Sequence, residues 1–403
     1  MRFSKRTDWN TEESELSLAH RRRIAAGLPV ADLTASNPTR CGFNYPAGLL
    51  EPLTDAPALE YDPEPKGSLR AREAVCRYYE QHGVLAEAGR IILTTSTSEA
   101  YSYLFKLLCN PGDAILVPQP CYPLFDFLAD AEVVRLTYAL FVYDHGWQLD
   151  LESLRWQITP ETRAMVLVHP NNPTGHFTGL DEARKLAGLC REHGLALIVD
   201  EVFLDYGLVA KGADHASFAA RGLDVLTFVV SGISKIAGLP QMKVAWLMAL
   251  GPGSEEALAR LEVLADTFLS MNAPIQRALP VWLESRGAIQ EQILDRLILN
   301  LAELDRVFAR QPGEAVWVSR LEVEGGWYVV LRVPATHSDD WTALALLERG
   351  VLVYPGHFFG MRRAGWLVLS LLTRVEEFAI GIRKLVEYFQ ENFRENQESY
   401  RQA

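Results

Sequence analysis

The amino-acid sequence predicts an α/β fold, in which a large wound α/β domain with a mostly parallel sheet is joined to a smaller α+β domain. Two observations predict this fold. From about residue 90 to residue 250, near-continuous apolar segments alternate with helical patterns, as expected for strands that helices cover on both faces of a sheet. After Gly251, long helical patterns precede short strands of alternating polarity, which indicates a second architecture.

The elements follow in chain order. The predicted sheet strands begin at Arg90, Ala114, Val133, Ala164, Leu195, Asp224 and Val244. Helical patterns separate them, and the pattern that begins at Asp181 ends at Gly194, a residue type that commonly terminates helices. Further on, helices are predicted over 255–286, broken near Asn272, and over 290–310, 341–349 and 375–393. Strands are predicted at 315–319, 326–333, 350–356 and 366–372. We assign 46–289 to the large cofactor-binding domain, and 1–45 with 290–403 to the small domain.

Composition excludes several functional classes. The chain has 403 residues and a formal net charge of −12, which argues against nucleic acid or an anionic membrane as a partner. Its five scattered cysteines fit buried thiols in a reducing compartment, and the first residues lack the apolar region of a signal peptide. We therefore expect a cytoplasmic protein without a membrane span. No metal-binding, dinucleotide-binding or nucleotide phosphate-loop motif occurs, so we expect no metal.

Three polar residues follow buried strands, where an α/β sheet forms its ligand crevice. Lys235 follows the strand 226–231, Asp200 ends the strand 195–200, and Asn172 lies in a turn after the strand 164–168. A carboxylate at such an edge suits a ligand cation, and a lysine there can react with a carbonyl group. The segment 94–100, TTSTSEA, leads from a strand into a helix and offers hydroxyl and backbone N–H groups to a phosphate.

The order of the motifs TSTSEA, QPCYP, NNPTG, DEV and SGISK resembles the fold-type I pyridoxal-phosphate enzymes of the class I/II aminotransferase family. The resemblance covers roughly residues 30–385 and implies an aspartate-aminotransferase-like fold with pyridoxal 5'-phosphate as the cofactor. It implies that Lys235 holds the cofactor as a Schiff base and moves the proton, that Asp200 keeps the pyridine nitrogen protonated, that Asn172 bonds the ring 3-oxygen, and that Tyr122 stacks on the ring.

The same resemblance implies contacts around this centre. Phosphate contacts are implied for Ser96, Thr97, Ser98, Ser234 and Lys243. Tyr61 resembles the tyrosine that reaches the phosphate of a neighbouring subunit, which implies a homodimer with shared active sites. Asn37 and Asn172 are implied at the substrate carboxylate.

The sequence departs from the family pattern at four positions. Phe203 replaces a tyrosine that donates to the ring 3-oxygen, Lys243 replaces a phosphate-binding arginine, and Gly232, next to Ser231, replaces a serine. Val368 occupies the position of the arginine that grips the substrate α-carboxylate. Two explanations are open. A nearby arginine takes over this role, with Arg362, Arg363 and Arg374 as the candidates, or the substrate is an amine without an α-carboxylate.

The resulting functional prediction is a transaminase that moves an amino group from an amino acid to a 2-oxo acid. Aromatic residues around the expected crevice favour neutral or aromatic side chains. A carbon–sulfur lyase or another amino-acid-metabolising enzyme of the same fold remains an alternative, because the same lysine, aspartate and asparagine serve those reactions.

Overall fold

Residues 1–209, 212–310 and 318–402 are described by the computed structural model, and they form fourteen β-strands and twelve α-helices. The strands are β1 (Ala31–Asp32), β2 (Ile91–Thr94), β3 (Ala114–Gln119), β4 (Arg135–Tyr143), β5 (Trp147–Leu149), β6 (Thr162–Val168), β7 (Ala196–Asp200), β8 (Thr227–Gly232), β9 (Ala245–Leu250), β10 (Ser319–Arg320), β11 (Tyr328–Arg332), β12 (Val351–Leu352), β13 (Tyr354–Pro355) and β14 (Trp366–Ser370).

The helices connect and cover these strands. They are α1 (Glu15–Ala25), α2 (Leu69–Glu80), α3 (Thr97–Leu108), α4 (Leu124–Glu132), α5 (Leu151–Gln157), α6 (Leu180–His193), α7 (Ile233–Ile236), α8 (Ser254–Phe268), α9 (Ala273–Glu284), α10 (Gly287–Phe308), α11 (Asp339–Glu348) and α12 (Val375–Gln402). None of the helices formed by the described residues is long and apolar enough to cross a membrane.

The large sheet has eight strands in the order β2-β9-β8-β7-β6-β3-β4-β5. The five central strands β8, β7, β6, β3 and β4 are parallel to one another, which confirms the predicted wound α/β domain. Both edges are antiparallel, because β9 pairs antiparallel with β8 and β2, and β5 with β4. The apolar pattern that locates a strand does not encode its direction, so the sequence did not reveal these edges.

Two apolar cores cover opposite faces of this sheet. In β7, Leu197 and Val199 belong to one core, while Ala196 and Ile198 belong to the other. Alternate residues of a strand point to opposite faces, so a strand that is covered on both faces is apolar throughout. Burying each large aliphatic side chain of this kind contributes about 1.5–3 kcal/mol. This burial explains why the segments of the sequence are nearly continuous in apolar residues.

A second sheet, with the order β10-β11-β14-β13, packs with α10 and α12 around a third core. The N-terminal segment joins it through β1, which pairs in parallel with β12, as predicted for the first forty residues. The break predicted near Asn272 is present, because α8 ends at left-handed Leu269 and the Asn272 side chain caps α9. All five cysteines are free thiols, and four are buried as predicted, whereas Cys109 is half-buried. Most of the strand predicted over 315–319 lies outside the described residues.

Candidate functional site

The carboxyl ends of β7 and β8 open onto a cavity of about 240 Å³. Asp200 is the last residue of β7, and Lys235 lies in the short helix α7 that directly follows β8. Neighbouring parallel strands end at the same edge of a sheet, so chain direction alone brings these two residues together. The cavity is lined by Ser36, Thr97, Tyr101, Tyr122, Leu124, Phe125, Val168, Asn172, Asp200, Val202, Phe203, Gly232, Ser234, Lys235, Tyr328, Tyr354, Phe358 and Phe359.

Asp200 is a buried carboxylate that three groups hold in place. Its Oδ2 accepts a hydrogen bond from the hydroxyl of Tyr101 at 3.1 Å, and its Oδ1 accepts one from the backbone N–H of Val202 at 3.0 Å. Burial raises the pKa of Asp200 to about 6, although these two bonds and the charge of Lys235 act in the opposite direction. The carboxylate is therefore ionised above about pH 6 and is aimed into the cavity.

Lys235 is held at both its backbone and its amine. The hydroxyl of Tyr206 donates to the Lys235 carbonyl at 2.6 Å. The Nζ atom lies 4.7 Å from the ring centroid of Trp327 and 5.6 Å from that of Phe203. Burial lowers the pKa of Lys235 to about 8, partly offset by Asp200. About a tenth of this amine is unprotonated at pH 7, far more than for an ordinary lysine, and the unprotonated amine is the form that acts as a nucleophile.

One end of the cavity carries small hydroxyl residues. Thr97 is the first residue of α3, and Ser234 directly precedes Lys235 in α7, which begins after Gly232 at the end of β8. The preceding residue, Ser96, caps α3 by accepting a hydrogen bond from the N–H of Glu99 at 3.1 Å. The first turn of α3 adds partial positive charge to these hydroxyl groups, so this end of the cavity suits an anion.

The structure brings most of the residues predicted for the site to one place. Besides those already described, Asn172, Tyr122 and Phe203 line the cavity. Phe203 is buried, and Tyr122 is partly exposed at the opening. The Oδ1 atom of the Asn172 side chain is buried and has no hydrogen-bond partner among the described residues. Ser96 and Ser98 are adjacent to the lining residue Thr97 but are not part of the lining themselves.

Four other predicted residues do not line the cavity within one chain. The Asn37 side chain turns back to accept hydrogen bonds from the N–H and hydroxyl of Thr39. Arg374 precedes α12 and packs against Gly42. Lys243 is exposed in a left-handed turn. Tyr61 is exposed and lines a separate surface depression.

Several cavity residues were missed at the sequence level. Tyr101 lies one helical turn after Thr97, and this i, i+4 spacing could have indicated it. Ser36, Tyr328 and Tyr354 come from distant parts of the chain, and no local pattern marks them.

Comparison with known proteins agrees with this geometry. Residues 53–384 match the family described as aminotransferase class I and II. The chain is 26% identical to glutamate-pyruvate aminotransferase AlaA of Haemophilus influenzae over 90% of this chain and 91% of that protein. It is 29% identical to the alanine aminotransferase of Mycobacterium tuberculosis over 91% of this chain and 87% of that protein.

Solved structures show the same fold. An aminotransferase from Escherichia coli superposes with a TM-score of 0.85 at 25% identity, covering 97% of this chain and 98% of that chain. The alanine aminotransferase from Pyrococcus furiosus superposes with a TM-score of 0.86 at 24% identity, covering 97% of this chain and all of that chain. The family match spans most of the chain, and we conclude that this protein belongs to the class I and II aminotransferases.

Proposed function

We propose that this aminotransferase uses pyridoxal 5'-phosphate, which Lys235 holds as a Schiff base, to move an amino group from an amino donor to a 2-oxo acid. One observation carries the proposal. A buried lysine with a lowered pKa and a buried carboxylate with a raised pKa face the same cavity from neighbouring strand ends. Paired groups whose pKa values the protein shifts in this way are typical of catalytic sites.

The residues present fit this cofactor. Asn172 lines the cavity with a side chain whose buried oxygen has no partner among the described residues, and its amide N–H group would donate to the ring 3-oxygen. Asp200 would face the pyridine nitrogen, while Thr97 and Ser234 would hold the phosphate, with Ser96, Ser98 and Lys243 nearby. The aromatic side chain of Tyr122 would cover one ring face.

When bound, the cofactor supplies an electron sink for the carbon that carries the amino group. Asp200 stabilises a proton on the ring nitrogen, because an adjacent anion raises the pKa of that nitrogen. Lys235 would hold the cofactor through its amine, and the same amine would serve as the base that removes and returns a proton at the substrate carbon. The bond from Tyr206 to the Lys235 carbonyl fixes the backbone from which this side chain swings.

The substrate class follows from the walls of the cavity and from the relatives. The relatives named above are glutamate-pyruvate and alanine aminotransferases, which supports an amino donor and a 2-oxo acid acceptor. Phe203, Phe358 and Phe359 line the cavity, and apolar walls favour neutral or aromatic side chains on the donor.

We further propose a homodimer in which Tyr61 reaches the cofactor phosphate of the partner. Leu59 and Tyr61 are largely exposed on one chain, at 92% and 84%, and they line a depression with Leu269 and Met271. Large apolar side chains exposed together indicate a contact surface. Light scattering should give twice the chain mass, and Tyr61→Phe should weaken cofactor retention without dissociating the dimer. A monodisperse monomer that binds the cofactor fully would contradict this arrangement.

The central test is an absorbance spectrum of the cofactor-loaded protein, recorded before and after addition of amino acids without any 2-oxo acid. We expect the band of the lysine-bound cofactor to convert to the shorter-wavelength band of the aminated cofactor, with release of a 2-oxo acid. Lys235→Ala should abolish the first band, whereas Lys185→Ala, at an exposed position on α6, should retain it. Regeneration of the band with loss of ammonia would support the lyase alternative instead.

A further inference from the structure

The strand that faces the substrate end of the cavity carries no charged side chain at its centre. Val368 lies in the middle of β14, fully buried, between Val330 of β11 and Tyr354 of β13. In this register a residue at position 368 shares a face with Tyr354, which lines the cavity. Val368 itself is buried in the apolar core beside the lining residue Tyr354, so no cation extends from this position toward the cavity.

Three nearby arginines do not line the cavity, and hydrogen bonds hold two of them elsewhere. Arg362 donates to the side-chain oxygen of Gln119 at 3.0 Å. Arg296 donates to the carbonyls of Cys41 and Leu372 at 3.3 and 3.1 Å. Arg374 packs against Gly42, as described above. Within the described part of one chain, Lys235 is the one basic residue among those that line the cavity.

Hydroxyl groups take the place of the missing cation. Ser36, Tyr328 and Tyr354 line the cavity together, and the Ser36 side chain interacts with both phenols. The Tyr354 hydroxyl also donates to the backbone carbonyl of Thr34 at 3.2 Å, which fixes its direction. Burial raises the pKa of both tyrosines, so they remain neutral donors and acceptors.

Aromatic rings enclose this hydroxyl cluster. Tyr354 stacks on Phe358 with ring centroids 5.3 Å apart, and Phe359 contacts the edges of both Tyr354 and Tyr328. A carboxylate moved from water into such surroundings loses its hydration without gaining an opposite charge, which is strongly unfavourable. A neutral group that contains oxygen loses much less hydration, and the hydroxyls can satisfy its hydrogen bonds.

We infer that Ser36, Tyr328 and Tyr354 form the subsite for the substituent next to the substrate's amino group, and that this subsite selects a neutral oxygen-bearing group over a carboxylate. The favoured amino donors are thus amino alcohols and amino carboxamides with an apolar or aromatic body. This inference rests on the proposed aminotransferase function and narrows the amino donor that it assigns. The 2-oxo acid acceptor occupies the same cavity in the second half-reaction, so its carboxylate is expected to bind this subsite correspondingly weakly.

The test uses three compounds with one side chain: phenylalanine, its carboxamide and the corresponding amino alcohol. Each is titrated into the cofactor-loaded enzyme, and the change in the cofactor band gives both a dissociation constant and a conversion rate. Because the carboxyl group alters the pKa of the neighbouring amine, all constants are referred to the unprotonated amine. We expect the alcohol and the amide to bind at least tenfold more tightly than the acid.

Variants separate the subsite from general effects. Val368→Arg should move the preference toward the acid by at least tenfold, while Val368→Leu, which keeps the apolar wall, should leave the ratio of the three constants unchanged. Tyr354→Phe should weaken binding of the alcohol and the amide about tenfold and leave the acid nearly unaffected.

The outcomes distinguish this inference from the function on which it rests. A wild-type preference of tenfold or more for the acid would overturn the subsite, even with normal amino transfer. Failure of all three compounds to perturb an otherwise normal band would also overturn it. Absence of the lysine-dependent band itself would refute the proposed function.

Discussion

His176 joins the active-site turn to two other parts of the chain, and its replacement should make stability depend on pH. It lies four residues after Asn172, and its Nε2 atom is 2.9 Å from Oε2 of Glu182, while its Nδ1 atom is 3.1 Å from Oε2 of Glu324. Glu324 also accepts a hydrogen bond from the N–H of Phe177 at 2.9 Å. The imidazole thus links α6 and the segment that leads to β11.

The size of the effect follows from the pKa of this histidine. Burial acts to lower it, but the two carboxylates dominate and raise the pKa of His176 from 6.5 to about 9. A pKa raised on folding stabilises the protein fully below the unfolded value, and the contribution is lost as the pH rises from 6.5 through 9. Because Glu324 is partly exposed to solvent, we expect about 2–3 kcal/mol for this shift.

The assay is urea unfolding of the wild type and of His176→Gln between pH 6 and pH 10. The variant should be less stable by about 2–3 kcal/mol near pH 6, and the difference should shrink as the pH rises above 6.5 and be nearly gone above 9. His193→Gln is the matched control, since His193 is exposed at the end of α6. A stability difference that stays constant across this range would refute the assignment of a charged His176 between two carboxylates.

Three further predictions concern the cavity and its support. Tyr101→Phe removes a hydrogen-bond donor to Asp200, so the pKa of Asp200 should rise by about one unit. The acid limb of the kcat/KM profile should shift to higher pH by the same amount. Phe203→Tyr adds a donor beside the ring 3-oxygen, so the pKa of the lysine–cofactor Schiff base should fall in a spectrophotometric titration. Asn300→Ala strips two buried carbonyls of their donor and should cost about 2–4 kcal/mol in urea unfolding.

Each of these predictions has a result that contradicts it. An acid limb unmoved by Tyr101→Phe would mean that Asp200 does not govern it. Identical titration curves for wild type and Phe203→Tyr would show that a tyrosine hydroxyl at position 203 does not hydrogen-bond to the ring 3-oxygen. A fully stable Asn300→Ala protein would show that water reaches those carbonyls.

The sequence by itself determined the wound sheet and its reactive edge. Strands that are covered on both faces consist almost entirely of apolar residues, so the amino-acid composition of each segment indicates its burial. Asp200, Asn172 and Lys235 were predicted to meet because parallel strands bring their carboxyl ends to one edge, whatever the details of packing. Local rules of this kind need no knowledge of distant contacts.

Only the tertiary structure decided how the substrate end is built. Ser36, Tyr328 and Tyr354 are far apart in the chain, and they meet because β11, β13 and β14 pair in one particular register. Likewise, the resemblance implied Asn37 at the substrate, and Arg374 was a candidate to replace the missing arginine. In this chain a local turn holds the Asn37 side chain, and the Arg374 side chain lies against Gly42. The direction of a side chain depends on its interactions with all neighbouring residues, and a short sequence motif does not specify those neighbours.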